Sequence, residues 1–213
     1  MDLSVLSDLA LDRLMYGISL GAVAMMAAAG VLEAGRKCFD LFGMVVVALA
    51  AALGGGSLRD VLLDRPVFWV ADQTYLIAAL IAAMLTFFLA RIFALPARLF
   101  LIPDAAGLAL FTISGTKAAL AWGAPWLVAS FMGVITGVVG GILRDVLCNE
   151  EPLVFQGTLY ATAAWAGALV FLGLMTVEID PGQAAVAGGA LIFLLRVAAI
   201  RWDIALPRFT SRL

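Results

Sequence analysis

The stretch that decides the fold is Ala51-Ala52-Leu53-Gly54-Gly55-Gly56-Ser57-Leu58-Arg59-Asp60-Val61-Leu62, near the end of a long apolar run. Three consecutive glycines weaken a helix by roughly 1 kcal/mol each relative to alanine. The arginine and aspartate that follow are costly inside a bilayer, and charges at such depths usually serve a function. The stretch therefore predicts a membrane helix that bends or unwinds close to its polar residues.

The same pattern recurs 85 positions later. Val139-Gly140-Gly141-Ile142-Leu143-Arg144-Asp145-Val146-Leu147 repeats the sequence Gly-Gly-x-Leu-Arg-Asp-Val-Leu, and Pro66-Val67-Phe68 is matched by Pro152-Leu153-Val154-Phe155 with one residue inserted. The recurrence predicts that the chain is an internal duplication.

The composition is that of a membrane protein. Hydrophobic residues make up 64% of the 213 residues and charged residues 13%, and the mean hydropathy is +1.10, whereas soluble domains carry about 25% charged residues. The length leaves room for about seven spans of roughly 20 residues with short loops and no separate soluble domain. We therefore predict an all-α polytopic membrane protein with a single transmembrane domain over residues 1–213.

Residues that break apolar runs divide the chain into seven predicted helices. No run alternates strictly enough to be a barrel strand, and all are much longer than one. The predicted helices cover residues 14–34, 41–63, 74–94, 104–121, 127–147, 158–177 and 184–200.

Basic residues outside these helices predict the orientation, because they concentrate on the cytoplasmic side of bacterial membranes. One side would hold only Arg13 and Arg65, which places the N-terminus outside and the C-terminus in the cytoplasm. The other side would hold Arg36, Lys37, Arg91, Arg98, Arg201, Arg208 and Arg212.

The interval of 85 residues covers three predicted helices, which is an odd number. The two halves must therefore cross the membrane in opposite directions, as an inverted repeat related by a pseudo-two-fold axis in the membrane plane. We predict a first half over residues 12–96, a second half over 97–178, and a seventh helix over 181–201 that has no counterpart.

Two interpretations of the glycine clusters remain open. Unwound backbone in a span must be buried, line water or coordinate a cation, and broken helices at a repeat interface commonly form an ion or substrate site. Alternatively, the glycines let the second and fifth helices cross closely, which the spacing Gly133-xxx-Gly137-xxx-Gly141 also favours.

The charged pairs beside the glycines admit several roles. Arg59 and Asp60 are adjacent on a helix and point about 100° apart, so each is expected to find a partner elsewhere. The arginines either hold the kinked helices together or extend to the membrane interface. Asp60 and Asp145 are expected to face aqueous vestibules, since acidic mouths favour a cation path.

Further polar residues lie on the fourth predicted helix. Asp104 begins it at a depth that Arg144 could reach, or complements the helix dipole. Lys117 extends outward, or senses voltage or blocks a cation path. Hydroxyl groups could line water or bond back to their own helices; they belong to Thr112, Ser114, Thr116 and Thr136.

Several functional classes lack their residues in this sequence. It has no histidine, no Walker A motif and no TVGYG-type filter, and Cys38 and Cys148 do not form a CxxC pair. A metal site, a disulfide framework, ATP-driven pumping and hydrolysis are therefore not predicted, and no basic patch with aromatic residues suggests nucleic acid. We expect no enzymatic activity and no cofactor, with membrane lipids as partners of the C-terminal arginines.

The motif Gly54-Gly55-Gly56-x-x-Arg59-Asp60, with its second copy Gly140-Gly141-x-x-Arg144-Asp145, resembles the prokaryotic relatives of the trimeric intracellular cation (TRIC) channels. These bacterial proteins are also labelled glycine transporters. The resemblance covers nearly the whole chain. It implies a homotrimer in which each protomer has its own pore, permeable to monovalent cations such as K⁺ or Na⁺, between kinked helices two and five.

The resemblance also implies roles for individual residues. The five motif glycines would lie at the pore bends, and Lys117 would be a candidate gating charge. From their own chemistry, the two Arg-Asp pairs, Ser114 and Thr136 are further candidates for the ion pathway. Animal channels carry a Lys-Glu-Val-type motif and lipid-binding basic residues near the first glycine kink; here the sequence is Ser57-Leu58-Arg59-Asp60-Val61, so phosphoinositide binding there is not expected. The alternatives are a secondary transporter of a small solute such as glycine and a non-conducting scaffold.

Overall fold

The computed structural model describes residues 3–93, 96 and 98–207, and the side chains within those ranges except residues 3–12, 14 and 15. The described chain is helical, with a single 3-10 turn, Leu153–Phe155, before the seventh helix. The helices are α1 (Leu3–Arg36), α2 (Leu41–Leu62), α3 (Phe68–Ala71), α4 (Thr74–Ile92), α5 (Leu101–Ala121), α6 (Trp126–Leu147), α7 (Ala161–Thr176) and α8 (Pro181–Trp202).

All seven predicted helices have a counterpart, with ends that agree within three residues in every case but one. The exception is α1, which begins at Leu3 because neither glycine nor proline interrupts the chain before Tyr16. The predicted end of the third helix at residue 94 lies outside the described residues. The sequence did not predict α3 or the 3-10 turn, each of which follows a proline.

Five described helical segments are long and apolar enough to cross a membrane. They are Tyr16–Arg36 within α1 and the whole of α2, α4, α6 and α8. The apolar helix α7 has only 16 residues. Although α5 has 21 residues, it carries Asp104 and Lys117 and is not among the five.

The duplication in sequence is also a duplication in local structure. Helix α6 begins and ends 85 residues after α2 begins and ends, and α5 ends 85 residues after α1. Left-handed backbone follows at the same interval: Cys38 has φ 56° and Gly123 φ 84°, while Asp64 has φ 50° and Asn149 φ 53°. The two halves therefore turn the chain in the same way at the same positions.

Helices α1, α2, α5 and α6 pack around one another. Helix α4 lies against α1 and α2, while α7 and α8 pack on each other and against α5. Many side chains at these contacts are small and fully buried, among them Ala22, Ala52, Ala105 and Ala164. Small residues let helix backbones approach closely, which is how helices associate where no hydrophobic force drives them together.

Candidate functional site

The glycine clusters bring α2 and α6 into direct backbone contact. A Cβ added at Gly55 would overlap the carbonyl oxygen of Thr136, and a Cβ at Gly140 would overlap the carbonyl oxygen of Ala51. Gly140 and Thr136 are the residues 85 positions after Gly55 and Ala51. The contact is therefore reciprocal, with each glycine lying against the counterpart of its neighbour.

Of the two open interpretations, local unwinding is wrong, because both helices are continuous through their glycines, and the close crossing is the one found. The backbone stays helical, and the absence of a Cβ at these glycines allows the two helices to cross closely. The weak helix propensity of glycine is overridden by packing between the two helices. At Gly55 and Gly140 this contact leaves no space for an ion between the helices.

The remaining motif glycines make room for side chains. A Cβ at Gly56 would lie 2.6 Å from Cε1 of Phe68, and a Cβ at Gly141 would lie 2.6 Å from the hydroxyl oxygen of Tyr160. A Cβ at Gly54 would overlap the side chain of Leu143 on α6. These positions require glycine because a side chain from a neighbouring element occupies the space that a Cβ would need.

Each arginine of the repeated motif contacts the aspartate that follows it. Arg59 Nε donates to Asp60 Oδ1 at 2.9 Å, and Arg144 Nε donates to Asp145 Oδ1 at 2.8 Å. The expectation that these neighbours do not pair is wrong. An arginine side chain is long enough to bend back across the 100° that separates the two residues on the helix.

The second oxygen of each aspartate holds the chain that returns after the helix. Asp60 Oδ2 accepts a hydrogen bond from the backbone N–H of Phe68, and Asp145 Oδ2 from that of Leu153, both at 2.9 Å. Phe68 begins α3 and Leu153 begins the 3-10 turn. The two missed elements thus have one role, because each presents its first N–H to a buried carboxylate.

The two pairs differ in their surroundings. Arg59 is 7% exposed and its guanidinium lies 5.8 Å from the centroid of the Phe68 ring, while Arg65 approaches Asp60 at 3.4 Å. Asp60 is completely buried, so it does not face a vestibule as expected.

The second pair belongs to a larger buried network. Arg144 is 0% exposed and forms an ion pair with Asp104, which is also completely buried. The Tyr160 hydroxyl donates to Asp104 at 3.2 Å. The Tyr160 ring lies 4.6 Å from the guanidinium of Arg196, which donates to the Leu159 carbonyl at 2.7 Å.

Three further residues of this region, Tyr160, Arg196 and Glu33, were not predicted from the sequence. Arg196 and Glu33 are each 1% exposed, and both lie within predicted spans, so a charge inside an apolar run was the available signal. Glu33 pairs with Arg36 at 2.8 Å. Tyr160 gives no such signal, since its contact with Asp104 joins residues 56 positions apart.

A cavity of about 290 Å³ opens beside this network. It lies among the ends of α1, α5, α6 and α8 and the 3-10 turn. Asp145 lines it, and its role in an aqueous vestibule stays a prediction. More carboxylates than guanidinium groups line the cavity, which favours cations. The acidic residues are Glu33, Asp145, Glu150, Glu151 and Asp203, and the basic residues are Arg36, Arg98 and Arg196.

Three of the candidate hydroxyl groups bond back to their own helices. Ser114 donates to the Phe111 carbonyl at 3.3 Å, Thr116 to that of Thr112 at 2.8 Å, and Thr136 to that of Met132 at 2.6 Å. Lys117 is partly buried on α5, and its role in gating stays a prediction.

The thiols take no part in the site. Cys38 is exposed and Cys148, which follows α6, is buried; both are unpaired. Burial raises the pKa of Cys148 to about 11, which keeps the thiol protonated and unreactive. Within the described ranges, acidic and cysteine side chains form no cluster of three or more that could hold a metal ion.

The sequence is similar to known bacterial membrane proteins. The family described as Glycine transporter matches residues 17–91 and 101–176. The UPF0126 inner membrane protein YadS of Escherichia coli K12 is 42% identical over 202 residues, which cover 92% of this chain and 96% of the relative. A UPF0126 membrane protein of Vibrio cholerae is 41% identical over 209 residues, 95% and 86% of the two chains.

The fold is similar to solved channel structures. The TRIC trimeric intracellular cation channel orthologue from Rhodobacter sphaeroides superposes with a TM-score of 0.85 at 38% identity, covering 90% of this chain and 99% of the other. A second structure, solved in work on conductance through TRIC cation channels, gives a TM-score of 0.81 at 30% identity, covering 92% and 97%.

Proposed function

This chain belongs to the Glycine transporter family, and we propose that it is a passive cation channel of the bacterial inner membrane. The similarity of fold and sequence to TRIC cation channels over nearly the whole chain carries the proposal. The relatives that are named inner membrane proteins support the location. A channel of this kind needs no enzymatic activity and no cofactor.

The proposed architecture has seven membrane-crossing helices in an inverted repeat. The reciprocal contact of Gly55 and Gly140 supports it, because a two-fold axis between α2 and α6 would exchange the two contacts. The matching ends of the helices support it as well. The basic residues Arg36, Lys37, Arg91 and Arg98 would mark the cytoplasmic side, with the N-terminus outside; Arg208 and Arg212 lie outside the described residues.

The proposed pathway runs through each protomer between α2 and α6. Its inner mouth is the acid-rich cavity beside Asp145. Its closed point is the crossing at Gly55 and Gly140, where backbone lies against backbone. An ion passes only when these helices separate, and Lys117 is the candidate for the charge that couples this motion to voltage. The assembly would be a homotrimer permeable to K⁺.

One observation favours a second function, the transport of a small solute such as glycine. It is the description of the family itself. A transporter that is open to one side has a cavity on that side and a closed contact beyond it. The acid-rich cavity and the crossing at Gly55 and Gly140 would provide them.

Recording from the purified protein in a planar bilayer under a KCl gradient separates the two functions. We would compare the wild type with Gly55→Ala, whose methyl group would overlap Thr136, and with Gly173→Ala, which has nothing within 4 Å of its Cβ. A channel predicts discrete openings that reverse near the K⁺ equilibrium potential, altered in Gly55→Ala alone. Silence together with saturable glycine uptake into proteoliposomes would establish the transporter, and silence without uptake would exclude both.

A further inference from the structure

A second cavity, of about 310 Å³, lies in a groove between α1, α2 and α4. Its walls are largely apolar and include Leu32, Met44 and Phe87. Two arginines, Arg36 and Arg91, line the same groove, and no carboxylate does. The groove thus combines an apolar surface with a concentrated positive charge.

The arginines lie at the level of lipid headgroups. Helices α1 and α4 run in parallel, since the Tyr16 hydroxyl contacts Asp72 at 2.7 Å and the rings of Tyr16 and Tyr75 are 5.4 Å apart near the other end. At 1.5 Å per residue, Arg36 lies roughly 30 Å along α1 from Tyr16, which is about the thickness of the hydrocarbon core. Tyrosines are enriched at membrane interfaces, so Tyr16 and Tyr75 mark one interface. Arg36 and Arg91 then lie at the other.

Both guanidinium groups have hydrogen-bond donors to spare. Arg36 contacts the Glu33 carboxylate only through Nη1, at 2.8 and 2.9 Å. Arg91 lies over the Phe87 ring at 5.5 Å and pairs with no carboxylate in the part of the chain that the structure describes. Guanidinium groups bind phosphate through paired N–H donors.

We propose that this groove binds an anionic phospholipid. The phosphate lies between Arg36 and Arg91, and an acyl chain follows Leu32, Met44 and Phe87. The groove is open beside Gly35, since a Cβ added there has nothing within 4 Å. The groove shares Arg36 with the acid-rich cavity, but Arg91 and the three apolar residues along the acyl chain do not line that cavity, and lipid binding does not depend on channel activity. It also differs from the first glycine kink, where animal TRIC channels carry their lipid-binding residues.

Native mass spectrometry of the detergent-solubilised protein tests the proposal. The protein is titrated with phosphatidylglycerol or phosphatidylcholine of matched acyl chains, as wild type, Arg91→Gln, Gly35→Leu and Arg201→Gln. Arg201 is exposed near the end of α8 and does not line the groove, so its variant measures the general attraction of a C-terminal arginine to anionic lipid. A Cβ at position 35 has nothing within 4 Å, so Gly35→Leu adds an apolar side chain at the groove and replaces a poor helix former.

We expect tighter binding of phosphatidylglycerol than of phosphatidylcholine. Arg91→Gln should weaken phosphatidylglycerol about fivefold, as removal of one basic residue at an anionic lipid predicts, and Gly35→Leu should weaken both lipids. Arg201→Gln should weaken phosphatidylglycerol by less than Arg91→Gln does and should leave phosphatidylcholine unchanged. Equal binding of the two lipids, or an equal loss in Arg201→Gln, would overturn the proposal.

Two further outcomes also contradict it. Displacement of the lipid by glycerol phosphate at the same concentration would indicate a site for a soluble anion. A change of oligomeric mass in Gly35→Leu with unchanged lipid binding would indicate that a second copy of the chain covers the groove.

Discussion

The two copies of the Arg-Asp motif share one local geometry, but a neighbouring residue at the same position in each copy carries the opposite charge. In each, the arginine contacts the next aspartate, which in turn accepts an N–H from the returning chain. The position five residues after each aspartate differs in sign. Arg65 approaches Asp60 at 3.4 Å, whereas Glu150 contacts Lys37 at 2.7 Å. The motif therefore fixes the backbone, and neighbouring elements decide the charge around it.

The copies also differ in how completely their arginines depend on protein partners. Arg59 has a small exposed fraction and an aromatic face beside it. Arg144 has no exposed fraction; the Phe100 ring lies 5.1 Å from its guanidinium, and its charge is compensated by Asp145 and by Asp104 from α5. A buried charge that loses its partner is costly, so we expect the second copy to be the more sensitive of the two.

Arg144→Met should cause the largest loss of stability. It leaves Asp104 buried without its ion-pair partner, which typically costs about 3–5 kcal/mol. Arg59→Met should cost less, because Asp60 keeps Arg65 nearby. Thermal unfolding of both variants in the same detergent measures the difference.

Adding Asp104→Leu to Arg144→Met serves as the control, since it removes the orphaned carboxylate and should restore part of the loss. If Arg59→Met is as damaging as Arg144→Met, the contrast between the two copies is mistaken.

Gly55→Ala and Gly140→Ala should each destabilise the protein by about 1–3 kcal/mol, the usual range for overpacking. The two losses should be similar, because the two contacts are reciprocal. Gly173→Ala is the matched control and should be neutral or slightly stabilising, because its Cβ meets open space. Thermal unfolding of all three variants is the measurement, and a loss at only one crossing glycine would contradict the reciprocity.

Tyr160→Phe should lower stability by about 1 kcal/mol. The change removes one hydrogen bond to Asp104 and leaves the ring beside Arg196. The same substitution in the Arg144→Met background should have a different effect, because both residues act on one carboxylate. Strictly additive losses would show that Tyr160 and Arg144 are not coupled through Asp104.

The smallest expected effect is a dependence on pH. The hydrogen bond and charge of Lys37 lower the pKa of Glu150 below its ordinary value. A carboxylate with a lowered folded pKa stabilises the protein above its unfolded pKa, and this contribution is lost as the pH falls through the folded pKa. Lys37→Met should flatten the thermal stability curve across the acidic range below about pH 4.5, and an unchanged curve would exclude this contact as its source.

The sequence predicted the helices well because their signals are local. Apolar runs and breakers place α2 and α6 within one residue of their ends, and the interval of 85 residues follows directly from the repeated motif. The polar contacts were harder to predict because they depend on residues far apart. Asp104 reaches Arg144 across 40 residues and Tyr160 across 56, and only the first of these partners carried a charge that sequence reading could notice.

Two predictions failed because a local rule was outweighed by tertiary structure. Glycine disfavours an isolated helix, but Gly55 and Gly140 lie where two helices require backbone contact. Adjacent helix residues point apart, but the long Arg59 side chain still reaches Asp60. In both cases the local preference of the residue was correct, but the sequence did not show which residue would lie next to it in space.

The reciprocal crossing of α2 and α6 has the form of an interface between two identical subunits, now held within one chain. In a true homodimer every substitution appears twice, so a residue that is favourable on one side of the membrane is also present on the other side. Joining the halves removes this constraint. It lets Arg65 and Glu150, at matching positions, carry opposite charges, and it lets Asp104 serve one copy of the motif while the matching position of the other half holds Ser19.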